Sequence, residues 1–201
     1  ALCTDGGFGP VRGERDGEVS RAFMSLLRRA TPQVEQISID EAFLDVAGTF
    51  ALQGTPERVA REVRRTIREE LGLTASVGVA STRLVAKIAS DLRKPDGLVV
   101  VPEGTEAAFL APLPIWRLWG VGEQTRRALA DYGVQTIGDL AVLPTDSLLR
   151  RFGAHGVTLA ERARGIDPTP VGNDDTARSV SHEHTFDEDT RDPEMIERTL
   201  L

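Results

Sequence analysis

Between Val34 and Val101, short apolar runs alternate with two amphipathic helical stripes, an order that few folds accommodate. The runs Val34 to Ile39, Ala42 to Val46, Ala75 to Ala80 and Leu98 to Val101 have the length and bounding residues of strands. Between the second and third, Thr55-Pro56 supplies an N-cap hydroxyl and a proline at the first helical position. Val59, Val63, Ile67 and Leu71 then recur on one face before Gly72, opposite a charged face. Leu84, Val85, Ile88 and Leu92 make a second stripe, which Lys94-Pro95 ends. This pattern predicts βαβ-type alternation on one sheet.

The flanks differ in character. Residues 1–17 carry Gly6, Gly7, Gly9, Pro10, Gly13 and Gly17 without an apolar period and are expected to be irregular. Val19, Phe23, Leu26, Leu27 and Ala30 predict a helix that Thr31-Pro32 stops. After Pro102, helical pieces broken by Pro112, Pro114, Gly120, Gly122, Gly133, Pro144, Gly153 and Gly156 predict a small all-helical unit. The chain therefore divides into 1–17, 18–102, 103–165, a linker at 166–178, and a last unit, 179–201, opening on the alternating stretch Ala177 to Phe186.

Composition narrows the function classes. No stretch approaches the roughly 18 apolar residues of a membrane span, and Cys3 is the single cysteine, so a cytoplasmic location without a disulfide framework is expected. His155, His182 and His184 lack metal-ligand spacing. A net charge of −7 argues against a nucleic-acid partner. However, nine acids against three arginines from Asn173 onward account for six of those seven charges, leaving the rest nearly neutral.

Asp40 and Glu41 stand between two apolar strands, where a hairpin turns. Neighbouring strand residues point to opposite faces, so two adjacent carboxylates converge on one ion only where the backbone bends. Hard oxygen ligands of this kind hold Mg²⁺ in phosphoryl transfer. A bare acidic pair more often solvates a turn, and the surrounding sequence has to decide.

Four further motifs follow in order. The run Val34-Glu35-Gln36-Ile37-Ser38-Ile39-Asp40-Glu41-Ala42-Phe43-Leu44-Asp45-Val46 precedes Ser76-Val77-Gly78-Val79-Ala80. Leu84-Val85-Ala86-Lys87-Ile88-Ala89-Ser90, Lys94-Pro95-Asp96-Gly97 and Trp119-Gly120-Val121-Gly122 come after it. Together they resemble the Y-family DNA polymerases of the DinB type over residues 18–190. The resemblance implies an α+β fold: a palm-type sheet with packed helices, a ferredoxin-like βαβ remnant, then a small all-helical thumb with a helix-hairpin-helix. It implies a translesion-type enzyme that adds dNTPs to a primer by two-metal phosphoryl transfer. Primer-template DNA and dNTP would be its partners, with a sliding clamp as a partner of the full-length protein.

By the same resemblance, Asp40 and Glu41 would be the metal ligands, with Glu41 as the catalytic acid, and Lys94 would contact the incoming triphosphate. Lys87, on the same helix, reads first as a solvated lysine and only second as a phosphate contact. Gly120, Val121 and Gly122 would bring backbone N–H groups to a DNA phosphate at a helix N-terminus, with Thr125 and Arg126 beside them. Val121, Leu129, Val134, Ile137 and Leu140 are assigned to the thumb core, and Ser179 to Phe186 resembles the first strand of the little finger.

The match departs from the family at its start. The family's first palm strand, with the aspartate that bridges both metals, has no counterpart here, nor do the nucleotide-binding finger residues or the steric gate. The 201-residue chain alone is therefore expected to be inactive or nearly so, although its parent would be a polymerase. The alternative reading is a non-catalytic DNA-binding module built on the helix-hairpin-helix. A nucleotide cyclase ranks below both, because cyclase chemistry gives no reason for Gly120-Val121-Gly122.

Overall fold

The structure, a computed structural model describing residues 13–172 and 192–200, begins with α1 (Gly13–Ala30). Gly13 to Gly17 are thus helical, which corrects the expectation of irregular chain through residue 17. Packing explains the difference: Ser20, Met24 and Leu27 are all buried on one face, and burial of such a face outweighs the ~1 kcal/mol helical cost of a glycine. At the helix end the Thr31 hydroxyl donates to the Asp45 carbonyl (2.7 Å) and accepts from the Gln33 amide (3.2 Å), tying α1 to the hairpin that follows.

That hairpin consists of β1 (Val34–Gln36) and β2 (Ala42–Leu44), antiparallel with Glu35 opposite Phe43. Both strands are shorter than expected. The Ile37 and Ser38 amides donate to the Glu41 carbonyl (2.9 and 3.2 Å), which closes a turn and takes residues 37–41 out of the ladder. A 3-10 turn (Ala47–Thr49) and α2 (Phe50–Gln53) lead to α3 (Pro56–Leu71). Here the sequence signals hold: the Thr55 hydroxyl accepts from the Arg58 amide (3.3 Å), and Gly72 closes the helix at φ 65°.

Next, β3 (Val77–Val79), α4 (Arg83–Leu92) and β4 (Leu98–Val100) form a parallel βαβ unit, with Val77 opposite Leu98 and Val79 opposite Val100. Among the described residues this pair is not joined to the β1–β2 hairpin. The expectation of one sheet is therefore corrected to two two-stranded sheets. Both line a groove of about 1610 Å³, and ladder bonding needs strands only ~4.8 Å apart.

The remaining elements are α5 (Glu106–Leu110), a 3-10 turn (Ile115–Arg117), α6 (Glu123–Ala130), α7 (Ile137–Ala141), α8 (Thr145–Phe152), α9 (Ala154–Ala163) and α10 (Pro193–Leu200). Val121, Leu129, Val134, Ile137 and Leu140 are buried as expected. Their cluster also includes Leu84, Val85, Ile88, Ala89 and Val101, so packing is continuous from α4 into the helices beyond residue 102. A separate cluster joins α1, β1 and α3 through Met24, Leu27, Val34, Val59, Val63 and Ile67. The unit boundary at 102/103 is thus a proposal about organisation rather than a seam in the core.

After α9 the chain returns to α4. Asp167 Oδ2 accepts from the Leu84 amide (3.2 Å), the Pro170 carbonyl accepts from Arg83 (3.0 Å), and the Gly172 amide donates to Glu35 Oε2 (2.8 Å). Arg83 in turn pairs with Glu35 Oε1 (2.7 Å) and lies 4.6 Å from the centre of the Phe43 ring. The rest of the expected linker, and the strand expected at Ala177 to Phe186, lie outside the described residues.

Candidate active site and nucleic-acid interface

The β1–β2 turn puts Asp40 and Glu41 at its tip. Asp40 is exposed, and its Oδ1 accepts from the Ser38 hydroxyl (2.6 Å), which fixes the carboxylate within the turn. Glu41 is half-buried because α4 lies across from it. Lys87, from the middle of α4, is hydrogen-bonded to Glu41 Oε1. Lys94 Nζ stands 4.0 Å from the same oxygen. Lys87 is therefore not the solvated lysine expected: its side chain is only 28% exposed, and it spans 46 positions of sequence to reach Glu41.

Asp91 was not singled out from the sequence, yet it joins the two lysines. Its Oδ1 pairs with Lys94 (2.6 Å) and its Oδ2 lies 3.8 Å from Lys87. The signal was available in part, since Lys87 and Asp91 fall at i, i+4 spacing on α4, where side chains share a face, whereas Lys94 lies beyond the helix end. The hydrogen bond to Asp91, working against desolvation, holds the Lys94 ammonium above its ordinary pKa, and Glu41 and Asp40 add to it.

The turn that carries Lys94 is itself clamped. The Lys94–Pro95 bond is cis and Asp96 adopts φ 60°. Asp96 Oδ1 accepts from Arg64 (2.8 Å) and Oδ2 from Arg68, both on α3, while the Gly97 amide donates to the Ser76 hydroxyl (3.2 Å). Arg64, then Arg68, hold the Asp96 carboxyl below its usual range. On the sequence these arginines read only as a solvated face.

Two carboxylates of hard oxygen suit Mg²⁺, which commonly takes one or two protein carboxylates and completes its shell with water and phosphate. Among the described residues no group of three or more His, Cys, Asp or Glu could hold a metal, and two carboxylates such as Asp40 and Glu41 could offer only part of a donor set.

Beside this cluster runs the glycine loop. Gly120 takes φ 101°, Gly122 occupies the N-cap of α6 with no side-chain cap, and Val121 is buried between them. Arg162 holds the loop by donating to the Trp119 carbonyl (3.0 Å). Trp119 faces Phe43 of β2 with ring centres 6.4 Å apart, which sets the loop against the hairpin. A cavity of about 350 Å³ between loop and α4 is lined by Lys87, Asp91, Trp116, Trp119, Gly120 and Gly122. Thr125 is half-buried in the first turn of α6. Arg126 is engaged by Glu123 through two contacts of 2.8 Å, and Arg127 shares the same carboxylate, so Arg126 faces a local acid. These arginines, Arg126 first, push the Glu123 carboxyl down to about 2.

Comparison with known proteins follows from this geometry. The impB/mucB/samB family matches residues 1–91. A DNA polymerase IV of Desulfatibacillum aliphaticivorans is 48% identical over 92% of this chain and 47% of its own length. A DNA polymerase IV of Moorella thermoacetica is 43% identical over 100% of the chain and 50% of its own length. Among solved structures, DinB from Sulfolobus solfataricus superimposes with a TM-score of 0.73 at 32% identity, over 82% of this chain and 49% of that one. An insertion ternary complex of Dbh DNA polymerase gives 0.74 at 31%, over 82% and 48%. The α+β architecture is thus that of Y-family polymerase structures. Over nearly its whole length the chain is similar to DinB-type Y-family DNA polymerases, and it spans about half the length of the curated relatives it matches.

Proposed function

We propose that this chain carries the metal-binding hairpin, a triphosphate-binding lysine and a DNA-backbone loop of a translesion-type, DNA-directed DNA polymerase. The observation that carries the reading is the meeting of Glu41 with Lys94 across 4.0 Å, although hairpin and lysine lie far apart in sequence. An acid pair able to hold Mg²⁺ beside an ammonium able to hold phosphate is the charge arrangement that nucleotidyl transfer requires. Bound Mg²⁺ would supply charge neutralisation at the transferring phosphoryl group.

The chain's own residues do the rest. Asp40 and Glu41 offer the carboxylate oxygens, Asp40 oriented by Ser38. Lys94, set by the Arg64–Asp96 clamp, presents a compact charge to the triphosphate of a dNTP. Gly120 and Gly122 let the backbone N–H groups at the start of α6 approach a primer-template phosphate, in the manner of a helix-hairpin-helix. Thr125 adds a hydroxyl, and Arg126 adds charge once it exchanges Glu123 for phosphate.

Catalysis is assigned to the whole protein, and a sliding-clamp contact likewise. The test pairs primer extension with duplex binding by anisotropy at two salt concentrations. The 201-residue chain should bind primer-template in a salt-sensitive manner that Gly120→Ala weakens more than Gly122→Ala, because only Gly120 has a positive φ. The same chain carrying Asp40→Ala and Glu41→Ala should keep duplex binding and lose Mg²⁺-dependent dNTP binding. If dNTP binding survived loss of both acids, the non-catalytic DNA-binding module would be the better description. The uncapped N-terminus of α6 already favours that second reading for the isolated chain.

A further inference from the structure

Glu41 and Asp40 are adjacent, yet their surroundings differ in one respect. Asp40 accepts from a neutral hydroxyl, whereas Glu41 Oε1 accepts from the Lys87 ammonium. Of the two lysines near Glu41, Lys94 is committed to Asp91 at 2.6 Å and stays 4.0 Å from Glu41, while Lys87 is bonded to Glu41 and 3.8 Å from Asp91. The two ammonium groups thus have opposite preferences between the same pair of acids.

We propose that Lys87 is a built-in counter-cation of Glu41 which a divalent metal ion must displace to bind there. The proposal rests on the reading of Glu41 as a metal ligand. A metal ion on the Glu41 carboxylate and an ammonium hydrogen-bonded to one of its oxygens would be like charges in close proximity, and they repel each other. Moving α4 away would sacrifice the burial of Leu84, Val85, Ile88 and Ala89. At Gly78 of β3 even a Cβ atom would lie 2.0 Å from the Ala86 carbonyl oxygen, so α4 is already against the strand next to Lys87. Lys87 must instead swing on its flexible stem, and Asp91 Oδ2, one helical turn away, is the acceptor that retains it. Displacement leaves both lysines on Asp91, which lines the cavity beside the Gly120 loop. Cation entry at the hairpin would therefore release an ammonium for an anionic phosphate on the same face. Lys87 acts as a positioning residue for metal entry.

The experiment measures Mn²⁺ binding to the 201-residue chain without nucleotide, at low salt, from loss of the free-ion electron paramagnetic resonance signal. Lys87→Met should tighten binding about fivefold, the factor that corresponds to the ~1 kcal/mol of a partly exposed ion pair. Lys87→Gln, which keeps a polar side chain, should do the same if the fold is retained by circular dichroism. Lys94→Met should tighten it less. In a Glu41→Gln background the Lys87→Met gain should vanish. An Mn²⁺ titration left unchanged or weakened by both Lys87 variants, whether binding is measurable or not, overturns the proposal, as does a gain that persists without Glu41. Failure of the underlying reading looks different: Glu41→Gln and Asp40→Asn would then leave wild-type Mn²⁺ binding unaltered.

Discussion

Gly78→Ala tests how α4 is placed over the hairpin site. A methyl group at Gly78 would stand 2.0 Å from the Ala86 carbonyl oxygen, 2.6 Å from the Ser90 amide nitrogen and 2.9 Å from the Ala89 Cβ. The first separation is 1.4 Å short of the 3.4 Å at which contact becomes ordinary, and the obstacle is helix backbone that no rotamer change can move aside. Relief requires α4 to lift from β3 against the burial of Leu84, Val85, Ile88 and Ala89, whose exposures are 0 to 4%. Overpacking of a core costs about 1–3 kcal/mol, and a backbone clash on this scale belongs at the upper end, ~3 kcal/mol. For a chain of this size that is a fall in Tm of about 6–12 °C. Urea unfolding, followed by fluorescence of Trp116 and Trp119 and by circular dichroism, measures it. Gly48→Ala is the control, since nothing lies within 4 Å of its added Cβ, and it should shift stability by less than ~0.5 kcal/mol. Lifting α4 would also draw Lys87 from Glu41. If Gly78→Ala unfolded within ~0.5 kcal/mol of wild type, close β3–α4 contact would not be what positions the lysines.

Two other perturbations follow from the same contacts. Glu123, held at about 2 by Arg126 and Arg127 against an ordinary 4.5, has a depressed folded-state pKa. Its contribution to stability is therefore present above pH 4.5 and lost as pH falls toward 2. Carboxyl carbon NMR should place its midpoint near 2 in wild type and closer to 4.5 when Arg126→Ala and Arg127→Ala are combined. Separately, Asp167→Asn with Glu35→Gln removes the charged acceptors of the Leu84 and Gly172 amides. Hydrogen exchange at both should quicken about fivefold, the effect of ~1 kcal/mol of lost hydrogen bonding, and unchanged protection would show that residues 167–172 are held by other means.

Much of the secondary structure, and the family likeness, could be read from residues alone. Thr55-Pro56 and Gly72 bound α3 as expected, and the apolar runs around α4 became the parallel β3–β4 pair. Caps, helical stripes and short apolar runs act within a few residues, so they are written locally. The same holds for motif order, by which the carboxylate hairpin and the Gly120 loop mark the likeness to the DinB-type Y family. The Glu123–Arg126 pair is legible too, at i, i+3 spacing on one helix, alongside the phosphate contact expected of Arg126. What the residues alone could not decide is which distant elements face one another. Two sheets rather than one, Lys87 drawn onto Glu41, and Asp167 and Gly172 set on α4 and β1 all depend on packing between segments 46 to 137 positions apart. An ion pair between half-buried groups adds little stability and leaves no periodic trace in sequence, so only the tertiary structure decided what holds Glu41.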